Sequence, residues 1–280
     1  MIAIEHEYFL SLVERTVAET ATIQKVAHDV AELDCLLSYA QLAEEQNYCQ
    51  PAIRETGELF LKDCRHPVVE NLLLTKNFVP NTIEMNTTEK QLVVITGPNM
   101  AGKSVLMRQV ALTILLAHIG SYVPAREAVI SLTDKIFVRS GAADMISAGL
   151  STFMVEMVET AYILKNATEK SFIIMDEIGR GTSTYDGISI AWAVAEYIVK
   201  RSLTGPKTLF ATHYHELQKL SEKFPDRIQN YHMLVTEHEQ KPVFLYTFIR
   251  GSAPHSYGIA VAQLAGIPAS VIEEATLLLH

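Results

Sequence analysis

Positive charge, cysteine and long apolar runs are all scarce in this 280-residue sequence, and residues 1–50 contain neither glycine nor proline. Each scarcity excludes something. Lysine and arginine total 23 against 32 aspartates and glutamates, a formal net charge of −9, so, a local basic patch apart, the chain as a whole is not a polyanion binder. Three cysteines, Cys35, Cys49 and Cys64, are odd in number and lack metal-ligand spacing, which fits a reducing cytosol and not a disulfide framework. The longest apolar stretch, around Val110 to Ile119, is too short to span a bilayer and contains His118. Glu5, His6 and Glu7 interrupt any apolar signal sequence at the start. No Gly-x-Ser-x-Gly occurs, so serine-hydrolase chemistry has no support. With 49% hydrophobic residues the chain can bury a sizeable core. The expectation is a soluble cytoplasmic protein with no membrane partner.

What is present begins with helix. In residues 1–50, Ile23, Val26, Val30, Leu33, Leu37 and Ala40 recur every three or four positions, opposite a polar face of Lys25, Asp29 and Glu32. This predicts one long helix or two, with a stripe that cannot be buried alone. Pro51 marks a boundary. Gly57, Pro67, Pro80 and Asn81 then punctuate short apolar runs, read as short strands.

Residues 91–104 carry the decisive pattern. Leu92 to Ile95 reads as a buried strand that stops at Gly97, and Gly97, Gly102, Lys103 and Ser104 match G-x-x-x-x-G-K-[ST]. Glycines let backbone approach phosphate oxygens, and the loop amides form an anion nest. The helix expected over 103–118 presents the positive end of its dipole to the same phosphates. Lys103 would reach the β- and γ-phosphates, and the Ser104 hydroxyl would bind Mg²⁺. Ser-Phe-Ile-Ile-Met-Asp-Glu at 171–177 is a second buried strand ending in two carboxylates. In an open α/β sheet ligands bind beyond the carboxyl ends of strands. Asp176 is then placed to hold Mg²⁺, directly or through water, and Glu177 to polarise an attacking water. Two acids ending a strand are otherwise merely solvated; the phosphate loop upstream decides for the nucleotide reading.

Between these stretches, residues 129–139 suggest a strand pair, followed by a loop over 140–150. Ser151 or Thr152 caps a helix with Phe153, Met157, Ala161 and Leu164 on one face; Met154 and Met157 read as core. A helix over 185–200 faces Ile188, Ala191, Ala195 and Ile198 inward. Lys207 to Ala211 is a further strand, placing His213 on the same rim as Asp176, a candidate phosphate sensor. His215-Glu216 is half a zinc-protease motif, but the second ligand position holds Lys219, so no metal is assigned there. Strands near 228–235 and 243–249 precede two amphipathic segments, Ser256 to Leu264 and Pro268 to Leu279. No Lys or Arg follows Arg250, which disfavours DNA reading by this terminal pair.

Four motifs in order, Thr96-Gly-Pro-Asn-Met-Ala-Gly-Lys-Ser104, Ser151-Thr-Phe-Met-Val-Glu-Met157, Asp176-Glu-Ile-Gly-Arg-Gly-Thr-Ser183 and Ala211-Thr-His-Tyr214, resemble the MutS family of DNA mismatch-repair ATPases. Arg65-His-Pro-Val-Val-Glu70 and Ser256-Tyr-Gly258 fit as well. The resemblance runs from about Arg65 to the end. It implies an α/β fold, a P-loop, ABC-type ATPase with a mixed, mostly parallel sheet, preceded by a helical segment and ending in a helix–turn–helix arm. The domains it implies are 1–64, the tail of core and lever helices; 65–250, the ATPase; and 251–280, a dimerisation arm. It implies a homodimer with composite sites, ATP and Mg²⁺ as ligands, mismatched double-stranded DNA bound by the whole protein, and a MutL-type partner. Nucleotide contacts would come from Gly97, Pro98, Asn99, Met100, Ala101, Gly102, Lys103, Ser104 and Val105. Ser104 and Asp176 would take the metal. Glu177, His213 and Lys103 would serve catalysis, and Ser151 would reach the partner's γ-phosphate. Phe78 would stack on adenine, although a core Phe is an equally good reading of the residue itself.

Departures matter. Val105 stands where the family usually has Thr, and Tyr246 where bacterial members often carry a His. The length fits only a C-terminal portion, without the mismatch-reading domain. A nucleotide-gated dimerisation switch with little hydrolysis, or a MutS-like paralogue outside mismatch repair, are the alternatives. Ala148-Gly-Leu-Ser-Thr152 in place of L-S-G-G-Q lowers a transporter or chromosome-structure ATPase.

Overall fold

The breaker-free N-terminal stretch forms two helices in a computed structural model of the chain, which describes residues 2–73, 77–98, 100–141, 151–238, 241–252 and 257–279. The chain divides into two compact units, 1–48 and 49–280. In the first, α1 (Ile2–Ala18) and α2 (Thr20–Glu45) contain no buried residue. The expected stripe is on the surface: Val30 is 59% and Leu33 66% exposed. A helix of this kind gains little from its own packing and needs an apolar cover to be strongly stable.

In the second unit, alternation builds the layers. The large sheet contains β4 (Leu92–Thr96), β6 (Ile136–Arg139), β7 (Phe172–Asp176), β8 (Lys207–Ala211), β9 (Ile228–His238) and β10 (Lys241–Arg250). Their order is β10-β9-β4-β8-β7-β6, all parallel except antiparallel β10. Val93 and Ile95 of β4, with Phe172 and Ile174 of β7, enter one core. Leu92 and Val94, with Ile173 and Met175, enter the other. Both faces of these strands are therefore covered, which is why they read as unbroken apolar runs.

The first core is closed by α4 (Lys103–His118), through Met107, Val110 and Ile114, and by a smaller sheet of β1 (Ala52–Arg54), β2 (Leu59–Cys64), β3 (Asn81–Met85) and β5 (Glu127–Ser131), in the order β1-β5-β2-β3. The second is closed mainly by α6 (Thr184–Lys200), with a contribution from α5 (Thr152–Asn166).

Three expectations change. Residues 129–139 do not form a strand pair: β5 joins the small sheet and β6 pairs with β7 in the large one. Adjacent apolar runs need not pair with each other when each completes a different sheet. The segment 51–90 also contains a short helix, α3 (Val69–Leu72), begun by His66, whose Nδ1 accepts from the amides of Val68 and Val69 at 3.2 Å each. In α5 the most buried residues are Val155, Glu156, Thr160 and Ile163; Ala161 is exposed and Met154 is 50% exposed, while Phe153, Met157 and Leu164 are half-buried. The helix is rotated because it buries a carboxylate, which hydrophobic periodicity does not count. After β8 come a 3₁₀ turn (His215–Lys219) and a short α7 (Leu220–Lys223). The last helices are α8 (Gly258–Leu264) and α9 (Ala269–Leu279), neither with a buried residue.

Candidate nucleotide site

The carboxyl ends of β4 and β7 bring the predicted residues together. Ser104 Oγ donates to Asp176 Oδ2 at 2.6 Å. Lys103 Nζ donates to the carbonyls of Gly97 (2.6 Å) and Pro98 (3.1 Å) and lies 3.8 Å from Glu177 Oε1. Burial pushes the Lys103 ammonium below its ordinary range, while Glu177 and Asp176 oppose that shift. Glu177 is also paired with Arg180, 2.6 Å from Oε2. The loop closes onto α4 at Gly102, whose φ of +99° is one that side chains rarely adopt. A Cβ there would meet the ring of Tyr246 at 3.3 Å.

A cleft of about 990 Å³ opens from this loop. Lys103, Ser104, Glu177 and Arg180 line it together with Phe78, Phe244 and Tyr246. Pro98, Met100, Gly102 and Val105 also line it, whereas Ala101 is buried in the core and Ser151 and His213 are not lining residues. Asn99 and residues 142–150 lie outside the described residues. Of the five described non-glycine residues with positive φ, three, Met100 (+70°), Glu177 (+59°) and Tyr246 (+54°), line the cleft; Asn47 and Asp63 do not. Backbone strain of this kind gathers at functional sites. The conformation of Tyr246 is held from the small sheet: Asn81 Nδ2 donates to Tyr246 O (2.9 Å), and Phe248 N donates to Asn81 Oδ1 (2.7 Å), across a bulge in β10.

Outside the cleft, Ser151 caps α5, its Oγ accepting from Met154 N at 3.2 Å, as the capping pattern predicts, and it is solvent-exposed. His213 follows β8. Its side chain is exposed, yet partial desolvation first, then the charges of Arg180 and Lys103, hold its imidazole below the usual range. Tyr214 behind it donates from its hydroxyl to Gly179 O at 2.9 Å.

The donor set suits a hard cation. Asp176 is buried, and its Oδ1 has no hydrogen-bond partner while Oδ2 meets the Ser104 hydroxyl. One carboxylate and one hydroxyl beside a phosphate loop are the protein's usual share of a Mg²⁺ site, with nucleotide phosphates and water completing it. Among the described residues no cluster of three or more His, Cys, Asp or Glu could cage a metal.

Sequence reasoning missed Arg180, Asn81, and the pair Arg139 and Glu156. Arg180 stands in a polar turn without a periodicity to mark it. The others act across elements far apart in sequence.

Strand, glycine-rich loop, helix and acidic strand end, on a mostly parallel sheet, define an α/β domain of the P-loop class. The family model for MutS domain V matches residues 93–280. Proteins named DNA mismatch repair protein MutS are similar along the whole chain: that of Clostridium kluyveri is 52% identical over 280 residues, covering 100% of this chain and 32% of the relative. That of Caldicellulosiruptor bescii is 51% identical over 275 residues (98% and 32%), and that of Clostridium tetani 53% over 280 (100% and 32%). The chain belongs to the MutS family and spans about a third of the length of the curated relatives it matches. No helix among the described residues is long and apolar enough to cross a membrane.

Proposed function

We propose that this chain is the ATP-binding, ATP-hydrolysing and dimerising module of a MutS-type DNA mismatch-repair protein. The observation that carries the reading is the convergence of Lys103, Ser104, Asp176 and Glu177 at one edge of the sheet. Lys103, now on the carbonyls of its own loop, would turn to the β- and γ-phosphates of ATP. The N-terminus of α4 would face the same charge. Ser104 and Asp176 would hold Mg²⁺, which neutralises and orients phosphate oxygens when bound. Glu177, released from Arg180, would orient water for in-line attack. His213, kept neutral, would hydrogen-bond the γ-phosphate as a sensor. Phe78 and Tyr246, which line the same cleft, would flank the base.

Ser151 sits at an exposed helix N-terminus, an anion-binding geometry that suits the γ-phosphate of a second chain. The site would then be composite across a homodimer. In a full-length protein the cycle would control the grip on mismatched double-stranded DNA and recruitment of a MutL-type partner. Steady-state ATP hydrolysis across a range of protein concentrations tests this. Specific activity is expected to rise with concentration and to vanish in Glu177→Ala. A flat, Glu177-dependent rate that Ser151→Ala leaves unchanged overturns the composite site.

The pairing of Glu177 with Arg180 favours one second reading, a nucleotide-gated dimerisation switch with little hydrolysis. ATP binding without turnover would select it. A paralogue outside mismatch repair would share this chemistry and would fail to suppress a mutator strain when joined to the remaining domains of a MutS relative.

A further inference from the structure

The turn that follows Glu177 is gripped from α5 at two points. Gly179 N donates to Glu156 Oε1. Gly181 packs so closely on Phe153 that a Cβ there would come within 2.8 Å of Phe153 Cβ. Glu156 is 4% exposed, and its other oxygen lies 3.1 Å from Nη2 of Arg139, itself 3% exposed, at the end of β6. Arg139 Nε also lies 3.2 Å from Glu159 Oε2. On the far side of the same residue, Gly179 O accepts from Tyr214, next to His213. Gly179 thus joins the capped helix that begins at Ser151 to the two segments carrying Glu177 and His213.

We infer that Glu156 is a positioning residue that couples α5 to the Glu177–Arg180 turn, so that engagement of Ser151 by a second chain's nucleotide re-aims Glu177. The inference rests on the ATPase reading for its output, but the tie itself is independent of turnover. An apolar side chain would fill the space but could not accept from Gly179 N; an oxygen acceptor there fixes the place of that amide. Small errors are enough to matter, since a displacement of about 1 Å at a catalytic group can lower a rate about a hundredfold.

The test compares three forms of the 280-residue chain. Arg139→Met/Glu156→Leu removes the tie and both charges together, so that no uncompensated ion is left to unfold the protein. It is expected to keep the melting temperature and the ATP KM close to wild type while kcat falls about tenfold or more. Arg139→Met/Glu156→Gln retains an oxygen that can accept from Gly179 and is expected to recover most of kcat. Equal kcat in wild type and the Leu double variant overturns the inference. So does a fall in kcat that the Gln variant does not recover.

Amide exchange supplies the readout that needs no turnover. Addition of ATP is expected to slow exchange over 151–156 and 177–181 together in wild type and separately in the Leu variant. If wild type shows the joint response but no Glu177-dependent hydrolysis, the ATPase reading fails and the coupling stands. Independent responses in wild type overturn the coupling.

Discussion

At the amino ends of the large sheet, polar groups are tied down. Gln91, just before β4, donates from Nε2 to Ile198 O (3.2 Å) and accepts from Arg227, just before β9. Ser171, before β7, donates to Asp134 (2.9 Å), and Lys135, before β6, to Asn166 O (3.0 Å). At the carboxyl ends the opposite holds. Asp176 Oδ1 is buried without a partner, Glu177 is held in a left-handed conformation, and Lys103 sits on carbonyls that water or a ligand would otherwise face. One end of the sheet is finished as structure. The other carries strain and spare hydrogen-bonding capacity that a phosphate and a cation would use. Two groups at the amino end depart from the pattern: Arg227 Nε is buried without a hydrogen-bond partner, and Lys207, at the start of β8, is 1% exposed, has no hydrogen-bond or ion-pair partner among the described residues, and has its pKa lowered by burial to about 8.

The contrast can be broken at either end. The largest effect is expected at the carboxyl end, where Glu177→Ala should lower ATP turnover about 10²- to 10⁴-fold while ATP binding persists. Turnover and equilibrium binding on the same sample check it; unchanged turnover removes the general base from Glu177. Gly187→Ala comes next. Its Cβ would collide with the Tyr214 hydroxyl and with Gly179 O, and the expected loss is about 3 kcal/mol, read by denaturant unfolding. A neutral result would mean that the Gly179–Tyr214 contact is loose.

At the amino end the sign reverses. Lys207→Met should stabilise the protein by about 3 kcal/mol at pH 7, from a pKa lowered from 10.5 to about 8. Below about pH 8 both folded and unfolded states are protonated and the folded state carries the full burial penalty. As pH rises the folded state loses its proton first, so most of the difference between Met and Lys should be gone by about pH 10. A constant difference in melting temperature across that range would show that Lys207 finds a partner. The smallest effect belongs to Glu196, whose pKa is lowered to about 2 by hydrogen bonds from Lys200, Lys223 and Trp192. Its contribution is present above the ordinary value of 4.5 and lost as pH falls toward about 2. Glu196→Gln should therefore flatten the acid limb of the melting curve slightly.

Much of the site is legible in the sequence. The strand–glycine–Lys-Ser pattern at 92–104 and the strand–Asp-Glu pattern at 172–177 are local signals, and their residues meet through Ser104 and Asp176. What escapes is non-local. Asn81 clamps Tyr246 across the two sheets, and Glu156 reaches Gly179 from another element. Arg180 is in plain view, but only its 2.6 Å approach to Glu177 gives it a consequence. The buried face of α5 escapes for the same reason: an apolar count cannot anticipate a buried acid whose partner, Arg139, lies on a different strand.

By itself, then, the sequence determined where most strands and helices lie, which loop carries the Gly-Lys-Ser pattern between strand and helix, and which carboxylates stand at a strand's carboxyl end, because these follow from glycine conformation, apolar period and capping between near neighbours. Only the tertiary structure decided that β5 and β6 serve different sheets, that Glu177 is held by Arg180, and that α5 is tied to the turn beside it. Strand partners and buried ion pairs are chosen by competition among residues distant in sequence, and that competition is settled only when the layers pack.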